Sequence, residues 1–390
     1  MRRAAVPFYA LIFLTEMVWM AIVPVAPTYA ERLSLSKVQT GTVLAAAGVA
    51  TLLVSLPIGL LADRIGTRAL TIGSSALVAV STLGQALAMD FWSLLVTRAA
   101  FGVALGTIWT AGLAWSAEAR RRGPESLGLP VLVAGVGIMS GPAFAGVLAG
   151  RFGVRVPFLV LAAASALVTL AFVAAETHDT PYRREPLGET LRAARRDRVV
   201  VAGVAVILLV GTMGGAINLL VPLELRHNGF SSAGLGLVLS GSSAIFVLGS
   251  AVVTRLGSRA VTLGVAGIAA VLYGASSLIP VAAASSAALV AFLLVRSPFW
   301  ATLSTLAYPL GGLGADRADV GRGAVMGLMN LVWGAAASLA PIVAGAIAQT
   351  AGERWVYAGL VACALGTGVW LFAERGTTEP AVEPAPSFET

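Results

Sequence analysis

Long apolar runs alternate with short polar turns along the whole chain. Twelve runs hold about 20 or more mainly apolar residues, the length that a helix needs to cross the ~30 Å hydrocarbon layer of a membrane. Most runs are apolar on every helical face, which indicates burial in lipid or in a helix bundle. We therefore predict twelve transmembrane helices. The predicted spans are residues 6–28, 38–61, 68–88, 91–115, 127–150, 154–175, 199–223, 233–253, 260–281, 285–308, 322–347 and 354–373.

The composition agrees with an all-α membrane protein. Hydrophobic residues make up 57% of the chain and charged residues 12%, about half of the ~25% charged residues of a soluble domain. The 44 glycines suit helices that pack closely in lipid. The first run follows Arg2 and Arg3 and imitates a secretory signal peptide, but it is longer than a signal core and carries Glu16, so we take it as the first span.

The basic residues predict the orientation. If the N-terminus is cytoplasmic, 18 of the 26 arginines and lysines fall in cytoplasmic segments, six in outer loops and two within spans. This bias follows the positive-inside rule and places both termini in the cytoplasm. The net charge of +7 then reflects topological anchors rather than nucleic-acid binding. The preference for arginine over lysine suggests a bacterium, hence a multi-pass protein of the bacterial inner membrane.

Residue types that carry enzymatic chemistry are sparse. The only cysteine, Cys363, lies in the last span, and His178 and His227 lie far apart in loops. The sequence therefore predicts no disulfide, no metal site and no cofactor. It also contains no catalytic triad, phosphate loop or dinucleotide fingerprint, so we expect a protein that is not an enzyme.

A polar segment at residues 176–198 divides the spans six and six. We predict an N-terminal bundle at 1–175, a C-terminal bundle at 199–375 and a disordered cytoplasmic tail at 376–390. The second part of the central segment fits either an amphipathic helix on the inner leaflet or a solvated linker.

Internal landmarks support two related halves. Three pairs of residues recur at offsets of 198, 198 and 199 positions: Pro24 and Pro222, Arg98 and Arg296, and Pro142 and Pro341. The charged turn at 59–68 has a degenerate echo at 254–259 with an offset of 191.

Charged side chains within spans are costly and usually face the bundle interior. The estimated depths of Glu16 and Arg98 differ by only ~6 Å, so the sequence predicts an embedded Glu16–Arg98 pair. The pair could be a permanent salt bridge. It could also be a proton-coupling pair, in which a movable arginine switches Glu16 between holding and releasing a proton.

Other side chains in the spans could face a substrate cavity or serve packing. The polar ones could bind a ligand or join helices, and the aromatic residues and methionine could form an apolar pocket or plain core. The candidate cavity residues are Trp19, Met20, Phe101, Asn218, Arg296, Asn330 and Trp333.

The charged turn between the second and third spans carries Gly59, Asp63, Arg64, Gly66 and Arg68. Asp63 could pair with an arginine or meet the positive end of a helix dipole, and so act as a cytoplasmic gate. A glycine turn with solvated charges is the simpler reading.

Four motifs together resemble the major facilitator superfamily of transporters. The turn at 59–68 is similar to its Gly-x-x-x-Asp-Arg-x-Gly-x-Arg signature, and Arg98-Ala-Ala-Phe-Gly102 is similar to an Arg-x-x-x-Gly motif whose arginine is implicated in proton coupling. The segment from Pro24 to Pro27 resembles a Pro-Val-x-Pro motif of the twelve-helix drug:proton antiporters.

The fourth motif lies in the fifth span. Gly137, Gly141, Pro142 and Gly146 resemble a motif of exporters that exchange substrate for protons, with Ala145 in place of one glycine. Glycine permits close helix packing and proline can kink the helix, which suits a pivot between the halves; a static kink is the alternative.

The resemblance implies two pseudo-symmetric six-helix bundles and a proton-coupled exporter that works by alternating access. We expect a monomer in the bilayer that exchanges protons for small amphipathic molecules. One embedded acid and two embedded arginines admit either a lipophilic cation or an anionic metabolite. The alternatives are an uptake symporter for a sugar, organic acid or amino acid, and a membrane sensor or scaffold that does not transport.

Overall fold

The computed structural model describes residues 2–112, 128–174, 197–319 and 322–375. Within these ranges, twelve helices are long and apolar enough to cross a membrane. Most of the central segment and the tail at 376–390 lie outside the described residues. The helices are α1 (Arg2–Leu33), α2 (Lys37–Ile65), α3 (Thr67–Leu87), α4 (Phe91–Thr107), α5 (Gly128–Phe152), α6 (Arg155–Ala174), α7 (Arg198–His227), α8 (Ser232–Leu256), α9 (Leu263–Ser276), α10 (Ser286–Arg317), α11 (Arg322–Thr350) and α12 (Glu353–Ala373).

Each predicted span corresponds to one of these helices, with two differences inside the spans. The α4 helix continues as a π-helical segment, Ile108–Gly112. The α9 helix is followed after Ser277 by a short helix, Leu278–Ala282. Several helices are longer than predicted because they extend beyond the hydrocarbon layer to polar caps. For example, Asp197 precedes α7 and accepts hydrogen bonds from the backbone N–H groups of Val199 and Val200 at 2.8 and 2.9 Å.

The helices form two six-helix bundles with matching internal packing. In the N-terminal half α1 packs on α5, α2 on α4 and α3 on α6; in the C-terminal half α7 packs on α11, α8 on α10 and α9 on α12. Gly66 and Gly257 occupy equivalent junctions, α2–α3 and α8–α9, and both have positive φ, 85° and 60°. Only glycine adopts such a conformation without strain. The predicted fold of two pseudo-symmetric bundles is confirmed.

Because the helices alternate in direction, α1 begins and α12 ends at the same side of the bundle. We call this side the terminal face and the other side the opposite face. The two halves meet mainly through two helix pairs, α2 with α11 and α5 with α8. These pairs are equivalent under the pseudo-symmetry.

Backbone-to-backbone contacts at glycines bring these helix pairs together near the opposite face. A Cβ atom added to Gly236 of α8 would lie 2.3 Å from the Pro142 carbonyl oxygen, and one added to Gly146 of α5 would lie 2.3 Å from the Ser232 carbonyl oxygen. The other pair repeats the arrangement. A Cβ at Gly41 would lie 2.3 Å from the Pro341 carbonyl oxygen, and one at Gly345 2.7 Å from the Lys37 carbonyl oxygen. The predicted landmark pair Pro142 and Pro341 therefore marks equivalent contacts between the halves.

One serine of α8 reinforces these glycine contacts between the halves, which we call the seal. The Ser240 hydroxyl donates to the Met139 carbonyl oxygen at 2.8 Å and accepts from the Ala143 backbone N–H at 2.9 Å. These two groups would normally bond each other in α5, since they are four residues apart. Ser240 is thus inserted into the hydrogen-bond ladder of α5 beside Pro142, a recognised cause of helix bending.

Polar pairs close the outer end of the seal. Arg226 of α7 donates two hydrogen bonds to the Glu31 carboxylate of α1, at 2.7 and 2.8 Å. Lys37 of α2 pairs with Glu353 of α12. The hydroxyls of Thr28 and Ser232 lie 3.1 Å apart. Each of these contacts joins one half to the other.

Toward the terminal face the same helix surfaces diverge. Gly135 lies seven residues before Pro142 on α5, and Gly327 lies seven residues before Gly334 on α11, so each shares the helix face that meets the other half. A Cβ added at Gly334 would lie 2.8 Å from Leu52 of α2, whereas one added at Gly135 or Gly327 would have no atom within 4 Å. Among the described residues, the halves are therefore in contact near the opposite face and apart at these two positions nearer the terminal face.

We predict that Gly236→Ala weakens closure of the opposite face. The new methyl group would overlap the Pro142 carbonyl, an overpacking cost of about 1–3 kcal/mol, which shifts a two-state equilibrium by about 5–150-fold. Double electron–electron resonance would measure the separation of the halves between spin labels attached to cysteines introduced at Met89 and Ala283. These positions lie in the exposed α3–α4 and α9–α10 turns, and Cys363→Ser removes the native cysteine.

Gly241→Ala is the matched control, because a Cβ at Gly241 of the same helix meets no atom within 4 Å. Its distance distribution should match that of the parent. Equal distributions for the Gly236 and Gly241 variants would contradict the role of the glycine contact.

Candidate functional site

Glu16 is a buried acid in the middle of α1, with 6% of its surface exposed. Its Oε1 atom accepts a hydrogen bond from the Trp109 indole N–H at 2.8 Å. The other carboxyl oxygen, Oε2, makes no hydrogen bond to any described residue. Trp109 is therefore the one hydrogen-bond partner of the Glu16 carboxyl group among the described residues.

Trp109 reaches Glu16 from the π-helical segment of α4, Ile108–Gly112. A π turn inserts an extra residue and rotates the following side chains, and such segments often occur at functional sites. The end of this segment packs on α1 as well, since a Cβ added at Gly112 would lie 3.1 Å from the Phe8 ring. The irregular turn thus directs the indole toward the acid.

Two glycines of α5 support the helix turn that carries Glu16. A Cβ added to Gly137 would lie 2.6 Å from the Phe13 carbonyl oxygen and 3.0 Å from the Glu16 Cβ, and one at Gly141 would lie 2.8 Å from the Met17 carbonyl oxygen. The predicted pivot motif therefore has two faces. Gly137 and Gly141 face α1, whereas the backbone at Pro142 and Gly146 faces α8 of the other half.

Arg98 is 1% exposed and is held by neutral groups. It donates to the carbonyl oxygens of Val18 at 3.3 Å and Trp19 at 2.9 Å, and to Gln85 Oε1 of α3 at 3.5 Å. The rings of Trp19 and Phe101 lie 5.5 and 5.2 Å from its guanidinium carbon, within the range of cation–π attraction. Arg98 therefore ties together α1, α3 and α4.

The expected Glu16–Arg98 ion pair is not formed. Glu16 binds Trp109 instead, and the described residues contain no ion pair of Arg98. The physical reason is that carbonyl dipoles and aromatic faces already compensate the buried guanidinium. Depth estimates brought the two residues near the same level but could not show these competing partners.

Arg296 has equivalent surroundings in the C-terminal half. It donates to the Tyr273 hydroxyl of α9 at 3.2 Å and lies 5.8 and 4.9 Å from the rings of Phe292 and Trp300. Only 3% of it is exposed. Like Arg98, it therefore sits within the packing of its own bundle rather than on an open cavity wall.

The remaining cavity candidates separate by exposure. Trp19, Met20 and Asn218 are half-buried, and Asn330 and Trp333 are exposed. Asn330 accepts a hydrogen bond from the Tyr308 hydroxyl of α10. Phe101 is 0% exposed and packs beneath Arg98, so the prediction that it lines a cavity is wrong for this conformation.

The charged turn at 59–68 is described in part. Gly66 has the positive φ noted above and begins α3, and Arg68 is half-buried. The structure does not describe the surroundings of Gly59 or the side chains of Asp63 and Arg64. The cytoplasmic gate therefore stays a prediction.

The family model of the Major Facilitator Superfamily matches residues 8–321 of the chain. The chain belongs to the major facilitator superfamily. It is a multi-pass membrane protein of this superfamily, as the twelve candidate spans and the paired bundles also indicate.

Named relatives match parts of the chain. The chain is 36% identical to the 3-(3-hydroxy-phenyl)propionate transporter of Escherichia coli (strain K12) over 119 residues, 30% of this chain and 29% of the relative. It is 27% identical to the vesicular acetylcholine transporter of Homo sapiens over 354 residues, 87% of this chain and 65% of the relative. The matched region is thus less than two thirds of the length of either relative.

Solved structures of the superfamily share the fold. A bacterial homologue of the human lysosomal transporter Spinster, in an inward-facing and unoccupied conformation, superposes with a TM-score of 0.75 at 18% identity and covers 95% of this chain and 96% of its own. The nucleoside transporter NupG gives a TM-score of 0.73 at 14% identity, covering 96% of this chain and 99% of its own. At these identities the likeness establishes the fold of the transporter.

Several functional neighbours escaped prediction from the sequence. Trp109 lies in an apolar run and gave no signal beyond being an aromatic residue two turns from the end of a predicted span. Gln85 and Tyr273 sit in α3 and α9 and bind the two arginines. Each is a polar side chain within a predicted span, the same signal that identified Asn218 and Asn330.

We predict that Arg98→Lys lowers the thermal stability of the detergent-solubilised transporter by about 1–3 kcal/mol, the cost of leaving buried acceptors without their donors. A lysine ammonium keeps the charge but lacks the planar fork that reaches two carbonyls and an amide. Thermal unfolding followed by tryptophan fluorescence would measure the change.

Arg296→Lys is the comparison variant, because the hydrogen bond to Tyr273 is the one that Arg296 makes with the described residues. It should cost less than Arg98→Lys. A variant at Arg98 as stable as the parent would show that its three hydrogen bonds do not hold the N-terminal half together.

Proposed function

We propose that the transporter is a proton-coupled exporter of small amphipathic molecules that works by alternating access. The observation that carries the proposal is Glu16: a buried carboxyl group with one oxygen bound to Trp109 and the other free. Acids within membrane spans commonly form proton or substrate paths. Protonation neutralises the carboxylate and turns one acceptor into a donor, so a proton competes with a cationic or donor group of a substrate for this site.

The arrangement of the two halves supports alternating access. In the proposed orientation the terminal face is cytoplasmic, so the structure corresponds to the state that takes up substrate from the cytoplasm or the inner leaflet. A substrate that binds at Glu16 then displaces the proton toward the cytoplasm. After the halves rock, a proton from outside displaces the substrate. The turn at 59–68 is the proposed gate when the terminal face closes.

In this scheme Arg98 positions α1 and does not exchange partners with Glu16. Arg98, Trp109 and Glu16 all belong to the N-terminal half, so they move together when the halves rock. Arg98 fixes the turn of α1 that follows Glu16, through the carbonyls of Val18 and Trp19. This replaces the movable arginine that the sequence alone suggested.

The direction of transport and the substrate class are inferred from the motif of α5 and from the named relatives. The motif of α5 resembles that of exporters, and its Pro142 and Gly146 lie in the seal at the opposite face. The names of two relatives mention an aromatic acid and acetylcholine, both small organic molecules with one ionic group. A ligand panel must therefore include lipophilic cations, aromatic acids and sugars.

We predict that Glu16→Gln abolishes transport driven by a proton gradient while ligand exchange continues. A thermal-shift screen of the purified transporter against the panel would first supply a ligand. Proteoliposomes of known orientation would then measure the movement of that ligand with and without an imposed pH gradient. Glutamine keeps the size and the acceptor for Trp109 but cannot release a proton.

In the parent, the ligand should move in the direction opposite to the flow of protons down the imposed gradient. In Glu16→Gln, the gradient should change the rate of ligand movement no more than it does in protein-free liposomes. Asp90→Asn is a control, because Asp90 is an exposed cap of α4. Gradient-driven transport by the Glu16 variant at the parent rate would refute the proposal. Movement of ligand and protons in the same direction would indicate a symporter instead.

A further inference from the structure

A second acid lies near the opposite face of the C-terminal half. Glu224 is on the last turn of α7, before the helix ends at His227. Both of its carboxyl oxygens are sealed from solvent, and neither has a hydrogen-bond partner in the described residues. Glu16 lies on the first helix of the other half, nearer the terminal face, so the two acids occupy separate sites.

The groups that face Glu224 come from both halves. The Tyr357 hydroxyl of α12 faces its carboxyl group and, like the two Glu224 oxygens, is buried without a hydrogen bond to any described residue. Glu353 of α12 and Lys37 of α2 are the charged groups near enough to interact electrostatically with Glu224 among the described residues. Arg296 interacts electrostatically with Tyr357, and His227 interacts electrostatically with Glu353. Lys37 is the member of this set that belongs to the N-terminal half.

Lys37 is already engaged in the closed state. It pairs with Glu353, and its backbone packs on Gly345 of α11. One lysine therefore stands between two carboxyl groups and is bonded to one of them. If Glu224 were ionised here, its sealed carboxylate would lie near the half-buried Lys37–Glu353 pair but would lack a hydrogen-bonded cation of its own.

An ionised carboxylate buried without a partner is costly, and binding a proton removes that cost. Separation of α2 from α11 and α12 would carry Lys37 away and admit water to Glu224, which would then be hydrated in either form. The closed state therefore gains stability relative to the open state when Glu224 is protonated.

We propose that Glu224 is a second proton-binding site, separate from Glu16, which reads the pH at the opposite face and stabilises the closed state when it is protonated. The proton enters from the opposite face while that face is open, is enclosed when the halves close, and leaves by the same route. It is therefore not transported. Acid at the opposite face holds the transporter in the conformation of this structure.

The sign of the pH dependence follows from which state binds the proton better. Protonation favours closure, so the closed fraction falls as the pH rises. For one linked proton the ratio of closed to open molecules changes by at most about tenfold per pH unit. The same spin labels at Met89 and Ala283, in the Cys363→Ser background, would follow this ratio in the full-length transporter from pH 5 to pH 9.

The measurement is made in the Glu16→Gln background, so that the first acid contributes nothing to the titration. Adding Glu224→Gln should keep the opposite face closed across the pH range, since glutamine stays neutral. Adding Tyr357→Phe removes the hydroxyl that faces the carboxylate. It should move the midpoint to higher pH, because the ionised form loses its nearest donor.

Glu31→Gln is the control acid. Glu31 joins the halves at the same face through Arg226, but it is exposed. Its variant should lower the closed fraction without removing the pH dependence of that fraction. A titration unchanged by both Glu224→Gln and Tyr357→Phe would overturn the proposal, whatever the outcome for Glu16 in transport. If Glu224→Gln does not fold, an unchanged midpoint in Tyr357→Phe alone would overturn it.

Discussion

The close backbone approach of α5 to α8 and of α2 to α11 is the constraint on which the rest of the structure depends. At Gly236 and Gly41 a carbonyl oxygen of the other half occupies the place of a side chain. Carbonyl oxygens can come so near only where a Cβ atom is missing. Toward the terminal face the same helix pairs are farther apart, since a Cβ added at Gly135 or Gly327 would meet no described atom within 4 Å.

The scaffold repeats between the halves, but its acids do not. Arg98 and Arg296 lie on equivalent helices, each bound to a polar side chain of the preceding helix and covered by two aromatic rings. At the offset of 198 residues, Glu16 corresponds to Gly214 and Glu224 to Ala26. The arginines thus belong to the repeated architecture, whereas each acid is particular to its half. This asymmetry agrees with the proposed division of roles, in which Glu16 of one half couples transport to protons and Glu224 of the other half responds to pH.

The sequence predicted the architecture because each step depended on local patterns. Span length, apolar faces and recurring landmarks such as Pro142 and Pro341 are all readable one segment at a time, and the family match and the helices confirm them. The partner of Glu16 was not readable in this way. The π turn that directs Trp109 toward α1 has no signature in composition, and the carbonyls of Val18 and Trp19 that hold Arg98 are present at every residue. Glu224 was missed because it falls one residue beyond a predicted span and looks like a loop acid.

Ser240 has a consequence for the energy of switching. While the opposite face is closed, its hydroxyl serves both the Met139 carbonyl and the Ala143 N–H. When α8 withdraws, these two backbone groups are left at the spacing of an ordinary helical bond and can join each other. Neither group is then stranded in an apolar medium, where an unmet hydrogen bond is expensive. The helix can thus replace the two bonds to Ser240 with a bond within α5 when the interface opens.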